Sequence, residues 1–443
     1  MKTLISLIIM AFPVVHAASQ EWRHEVSDTL LTVEQCAEMA LSNNAAVKNS
    51  IKNVESSSET RREAFTKYFP HVSASAAAFR THNNVLEYDF FNLVSLGIID
   101  RGKMASIQAL QPVFMGGQII NGNRLAKVGE AVAELQCRQT ADEVCLTART
   151  YYWKLVTLHA TRRTLEKALQ TLDSLDRQVQ VAVDAGIATR NDLLKVQLKR
   201  NQYRADMVDL DNGIGLFGSL LGQYIGLPVN LRPKVTPTVP DSLPEIPVDI
   251  FMPPSEALSQ TVDYQLLDKN IEAKKLEKRI EVGKNLPTVA LGAGWFYHDV
   301  LRQNHNFGAV MVAVNIPLSG WWGGSHAIRK KKLALEIAQT EFTDLSQKLE
   351  IGMQDKWNDL TAAHRKMAIA HEAIVQSAEN LRLNRAYYDA GMCTVTDMLD
   401  AEALNRQAID NYTASYGAFR IAVEEYLNAT GQQDYNLTSE HKQ

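Results

Sequence analysis

The stretch DAGIATRNDLL fills positions 184–194, and DAGMCTVTDML fills 389–399, 205 residues further along a chain of 443. Each reads Asp-Ala-Gly, then Thr three residues after the Gly, Asp three after the Thr, and two bulky apolar residues. Gly186 and Gly391 permit the left-handed backbone that ends a helix. Thr189 and Thr394 then restart one, with Asp192 and Asp397 at capping-box spacing. One helical turn is written twice, half a chain apart.

The prolines extend the duplication. Eight of the 13 crowd into residues 228–254, one is Pro13, and the rest are Pro70, Pro112, Pro287 and Pro317. The segment ending at Pro70 aligns with the one ending at Pro287, at an offset of 217. Those after Pro112 and Pro317 both run into Gly-Gly, at 116–117 and 323–324. No proline interrupts 113–227 or 318–443, so both stretches are free to form very long helices. The chain reads as a tandem repeat joined by a Pro-rich connector.

The first repeat spans 18–226: a helix, a β-hairpin over about 70–116, a long helix 118–183, a tip turn 184–191 and a return helix 192–226. The connector is 227–254. The second repeat spans 255–431, with a hairpin over about 287–319, a long helix 325–388, a tip turn 389–396, a return helix 397–430, and then a tail 432–443. The first helix is expected to open at Thr32-Val33-Glu34-Gln35, a capping-box pattern, and to end before Pro70. Strand signals are clearest at Val310, Val312, Val314, Ile316 and Leu318, which alternate. Leu158, Leu165, Leu172 and Val179 mark a heptad stripe on the long helix. Tyr203, Met207, Leu210, Ile214, Phe217, Leu221 and Tyr224 mark a 4-3-4-3 seam on the return helix, and the second repeat keeps its phase. A helix of roughly 66 residues would be about 100 Å long, and the shorter helices could flank it only when stacked end to end. That is a rod with strands at one end and a turn at the other.

Residues 1–17 combine Lys2, an apolar run and small residues at Val15 and Ala17, the pattern of a signal peptide cleaved after Ala17. Net charge moves only from −4 to −5 on its removal, which argues against a nucleic-acid partner. Four cysteines (36, 137, 145 and 393) write no disulfide framework. No later run of 18 apolar residues offers a helical membrane span. Four strands cannot close a barrel alone, because the smallest membrane barrels use about eight. An exported chain with unpaired strands must complete its sheet with copies of itself.

In the order and repetition of these features the chain resembles the TolC-like outer membrane efflux protein family. The match covers essentially the whole mature chain, including the strand ends PVFMGG and IPLSGWWGG. The resemblance implies a mainly α fold with a small β part: a long α-helical coiled-coil protomer with four transmembrane β-strands. It implies a homotrimer with a twelve-stranded barrel among outer membrane lipid and a helical tunnel in the periplasm. It also implies a periplasmic adaptor (membrane fusion protein) and an inner-membrane pump as partners. By position, Asp192, Asp397 and Asp400 match the family's aperture acids, and Gly186, Thr189, Gly391 and Thr394 its adaptor-docking turns. Cys393 stands where the family has a basic residue, so Arg190 is the candidate substitute.

The expected role is a passive exit duct for efflux or secretion, with no enzyme activity, catalytic residue, metal or cofactor. Competing readings are a periplasmic adaptor, which should carry one hairpin rather than two, and a soluble coiled-coil scaffold. His364, His371 and Glu372 lack the spacing of a zinc motif, and the glycines of GLFGSLLGQYIG follow a helix rather than a strand. Arg329-Lys330-Lys331-Lys332 reads as the solvated start of a helix. Trp321-Trp322 is a candidate interfacial anchor, and Phe90-Phe91 is apolar loop surface.

Overall fold

A computed structural model describes residues 30–82, 87–90, 94–97, 101–228, 231–235, 239–299, 304–318 and 320–433. The expected signal peptide, Phe91, the side chains of Phe90 and Trp321, and most of the C-terminal tail lie outside the described residues.

The chain opens with strand β1 (Leu30–Leu31) and helix α1 (Val33–Asn43). Thr32 caps α1: its hydroxyl accepts from the Gln35 amide at 3.2 Å, and the Gln35 side chain accepts from the Thr32 amide at 3.0 Å. The single helix expected up to Pro70 is broken at Asn44, whose extended backbone (φ −62°, ψ 134°) separates α1 from α2 (Ala45–Thr66). The Asn44 side chain holds the break. Its Oδ1 accepts from the Ala46 amide at 2.8 Å, and its Nδ2 donates to the Tyr224 carbonyl at 3.4 Å. A short polar side chain competing for backbone partners disfavours helix continuation.

Strands β2 (His71–Arg80), β3 (Glu87–Phe90), β4 (Val94–Gly97) and β5 (Arg101–Met115) follow. Next come α3 (Gln118–Asp184), α4 (Arg190–Tyr224), β6 (Lys234–Val235) and α5 (Pro254–Ala257). The second half supplies α6 (Val262–Lys284), β7 (Thr288–Asp299), β8 (Asn304–Asn315), α7 (Gly320–Asp389) and α8 (Val395–Ala429). The molecule is mainly helical with a small β part.

Two compact units are present, and each draws on both repeats. The first combines the described residues within 30–48, 140–257 and 350–433. Its core is the heptad stripe: Leu165, Leu172 and Val179 of α3 are fully buried, with Val196 and Tyr203 of α4 against them. The seam of α8 is buried likewise at Tyr412, Phe419 and Tyr426. The Pro-rich connector is strapped to this unit through its carbonyls. Tyr412 donates to Pro240 O at 2.9 Å, and Tyr426 to Met252 O at 3.3 Å. His364 and His371 place Nε2 at 2.8 and 2.9 Å from Pro244 O and Asp241 O. The glycines of GLFGSLLGQYIG let the connector approach, since a Cβ on Gly222 would sit 3.0 Å from Leu231 O.

The second unit combines residues 49–139 and 258–349 and holds a four-stranded antiparallel sheet in the order β2-β5-β7-β8. Helices α2 and α6 deliver the chain into β2 and β7, and β5 and β8 hand it on to α3 and α7. At one of these joints Gly116 (φ +58°) lies so close to Gly283 that a Cβ would be 2.2 Å from its carbonyl oxygen. Only glycine fits there.

Candidate functional site

Two places in the chain carry the features that the sequence singles out. The first is the sheet. Because side chains alternate across a strand, the register assigns each residue to a face. Val72 lies opposite Ala109, and Ala293 opposite both Ala109 and Val310. Ala74, Ile107, Trp295 and Gly308 form the neighbouring row, and Leu291 and Val312 pair on the other side. The central rows of this face are apolar, interrupted by Gln111 opposite Leu291 and giving way to polar and charged residues towards the loop ends. The face is open to its surroundings, with Val310 84% and Val72 66% exposed.

The opposite face carries Ser73, Ser75, Ser106, Gln108, His298 and His305 among Met104, Phe307 and Met311. Ser75 and Ser106 join their hydroxyls across the strands at 2.8 Å. Both outer strands, β2 and β8, present backbone edges that no other described strand pairs. A sheet with one largely apolar exposed face and two open edges is a wall segment rather than the cover of a core.

The second place is the pair of turns in the first unit. Gly186 and Gly391 have φ of +75° and +73°. Each closes its helix in the same way: Ile187 N donates to Ala182 O and Met392 N to Tyr387 O, both at 2.8 Å, bonds that span five residues. Thr189 then accepts from Asp192 N at 3.2 Å, while Asp192 Oδ2 accepts from the Thr189 hydroxyl at 2.7 Å. Thr394 and Asp397 repeat the arrangement at 3.3 and 2.6 Å. These threonine bonds hold both carboxyls below the usual carboxylate range. Asp400 is exposed, and so are Ile187 and Met392, the apolar residues just past each glycine.

The structure brings the two turns together. Leu193 and Val196 from one, and Val395, Met398 and Leu399 from the other, share a buried cluster with α3. Lys195 spans the seam, donating from Nζ to Thr396 Oγ1 at 2.8 Å and standing 3.9 Å from Asp192. Tyr388, partly buried against the same cluster, has its phenol pushed up by burial and then by the Asp192 charge. Arg190 is exposed and makes no ion pair or side-chain hydrogen bond among the described residues. Cys393 donates from Sγ to Asn384 O at 3.4 Å. Sequence reasoning missed Lys195 and Tyr388. One signal was available: Lys195 occupies the position in the first repeat that Asp400 holds in the second, an exchange of sign at equivalent places.

Behind the turns lies an ionic knot. Arg406 donates to Asp206 at 2.9 Å and to Asp410 at 3.1 Å, with its guanidinium 4.3 Å from the centre of the Tyr203 ring. Glu402 is buried one helical turn earlier, and burial pushes its carboxyl up. All four cysteines are free thiols, and burial raises Cys36 and Cys145 to about 12. Among the described residues no group of three or more acidic, His or Cys side chains is placed to hold a metal ion.

No protein-family model matches the chain. It is 23% identical over 408 residues to the outer membrane efflux protein BepC of Brucella suis, a match spanning 89% of this chain and 84% of that one. Among solved structures, the outer membrane protein VceC of Vibrio cholerae superposes with a TM-score of 0.77 at 16% identity, over 93% of this chain and 98% of that one. The Campylobacter jejuni CmeC outer membrane channel superposes with a TM-score of 0.78 at 12% identity, over 97% and 94%. The chain therefore has the protomer fold of the TolC-like outer membrane channels, the family that its sequence resembles.

Proposed function

We propose that the chain is one protomer of an outer membrane exit duct, which passively conducts substrates delivered by an inner-membrane pump through a periplasmic adaptor. The observation that carries this reading is the sheet with one largely apolar face, one mixed face bearing Ser73, Ser75, Ser106 and Gln108, and two edges that no described strand pairs. Every backbone group in a bilayer must be satisfied, so open edges at that depth have to be closed. Edge β8 of one copy can pair with edge β2 of the next, and three copies give a closed barrel of about twelve strands. The apolar face then meets lipid and the face with Ser106 and Gln108 meets water. Among the described residues no helix is long and apolar enough to cross a membrane.

In this reading the paired turns form the periplasmic aperture. Asp192, Asp397 and Asp400 from three copies ring it with carboxylates that favour cations and resist full closure unless paired. The exposed Ile187 and Met392 offer an adaptor an apolar grip beside Gly186, Thr189, Gly391 and Thr394. Conduction needs no catalytic group, metal or cofactor. The test is single-channel recording of the purified protein in planar bilayers. Discrete cation-preferring conductance is expected, and a protein that never inserts would refute the reading.

A further inference from the structure

The register also places charge at the end of the apolar face. Arg80 of β2 stands directly opposite Arg101 of β5, and two residues along, Lys103 stands opposite Ala78 and Asp299. By alternation all lie on the face that carries Val72, Ile107 and Val312. They crown the strand ends that lead into the loops, away from the ends that join α2, α3, α6 and α7. Tyr297 and Trp295 occupy the next two rows, so the face runs from aliphatic through aromatic to basic.

Like charges set opposite each other on a sheet are destabilising. Arg80, Arg101 and Lys103 are exposed, and none makes an ion pair among the described residues. Among the described residues of this face, three cations against one carboxylate, Asp299, leave a positive excess above rows that are mostly apolar. A hollow of ≈ 540 Å³ at this rim is lined by Arg101, Lys103, Asp299 and Asn304 with Phe79 and Gly102. A chain that kept this arrangement in lipid would gain from an anion bridging the guanidinium pair. Arginine forks match the oxygens of a phosphate in two parallel bonds.

We propose that Arg80, Arg101 and Lys103 bind the phosphate groups of an anionic glycolipid in the outer leaflet, with the acyl chains lying on the apolar face below. The proposal rests on the outer membrane reading above. Headgroup phosphates would neutralise the rim, and the aromatic rows would seat the sugar and glycerol-depth atoms, as interfacial aromatics do.

The full-length protein in mild detergent is titrated with a bis-phosphorylated glycolipid (lipid A), with the same lipid after enzymatic dephosphorylation, and with inorganic phosphate. Bound lipid is counted by native mass spectrometry. Saturable binding of the phosphorylated lipid is expected. It should weaken at least about tenfold on dephosphorylation and in the variant R80Q/R101Q/K103Q, as loss of charge-assisted bonds requires. Inorganic phosphate at millimolar concentration should not displace the lipid. Equal binding of both lipids by the parent protein overturns the proposal without any variant, and so does displacement by free phosphate. Bilayer conductance separates the two readings. A parent protein that conducts but ignores the lipid phosphates refutes only the clamp, whereas one that forms no channel refutes the duct.

Discussion

The Lys195 ammonium donates to the Thr396 hydroxyl at 2.8 Å and so fastens together two turns written 205 residues apart. The same ammonium lies 3.9 Å from Asp192, so one cation serves both the first turn's acid and the second turn's hydroxyl. In this chain, with Cys393 turned to a backbone carbonyl, Lys195 is the cross-turn tie.

Removing that tie should loosen the aperture. Lys195→Ala is expected to raise single-channel conductance and the open fraction while barely changing stability. An exposed or half-exposed ion pair contributes about 0–1 kcal/mol. Conductance identical to the parent would show that the tie does not restrain the opening.

The capping boxes make the turns sensitive to acid. Asp192 and Asp397 titrate lower in the folded chain than in the unfolded one, chiefly through the Thr189 and Thr394 side chains. Their support is complete above the unfolded carboxylate value of about 4 and fades as pH falls through the lower folded values. Amide protection factors at the first turns of α4 and α8, corrected for the intrinsic pH dependence of exchange, should therefore fall at pH 3 relative to pH 6. Thr189→Ala should cost about 1 kcal/mol and remove most of that difference on α4. An unchanged pH response in the variant would assign it elsewhere.

Arg406 is the centre of the knot behind the turns. Arg406→Ala strands Asp206 and Asp410 and uncovers the Tyr203 ring, at an expected cost of about 2–4 kcal/mol in denaturant unfolding. Arg406→Lys keeps the charge but loses the planar fork, so it should recover only part of the loss. Full recovery by Lys would mean that charge alone matters there.

Glu402 should behave in the opposite sense. Its folded pKa is raised by burial, although Arg385 and Arg406 oppose the shift. An acid whose folded value lies above its unfolded one weakens folding as pH rises past the unfolded value. Glu402→Gln is therefore expected to raise the unfolding temperature at pH 7 and to do nothing at pH 3.5, where both states hold the proton. A lowered unfolding temperature at pH 7 would mean that the carboxylate is needed.

Much of this architecture was legible because it repeats. Gly186 and Gly391 fix φ, Thr189 and Thr394 supply caps, and Leu165, Leu172 and Val179 keep a strict spacing; each is a local rule. What escaped is non-local or finely balanced. The break at Asn44 depends on a side chain outcompeting one helical bond, with no proline or glycine to announce it. The Lys195–Thr396 tie joins residues whose proximity only the folded chain creates. Nor could the two faces of the sheet be assigned until the register of β2, β5, β7 and β8 placed Ile107 beside Ala74 and Trp295.

The central claim is that open edges β2 and β8 close against other copies in the outer membrane. The most direct test is the mass of the protein extracted from outer membranes in mild detergent, corrected for bound detergent. Three chains per particle are expected, since three sheets of four strands close a barrel. A monomer recovered in the soluble periplasmic fraction would contradict the claim and leave the paired turns as the tips of a helical scaffold.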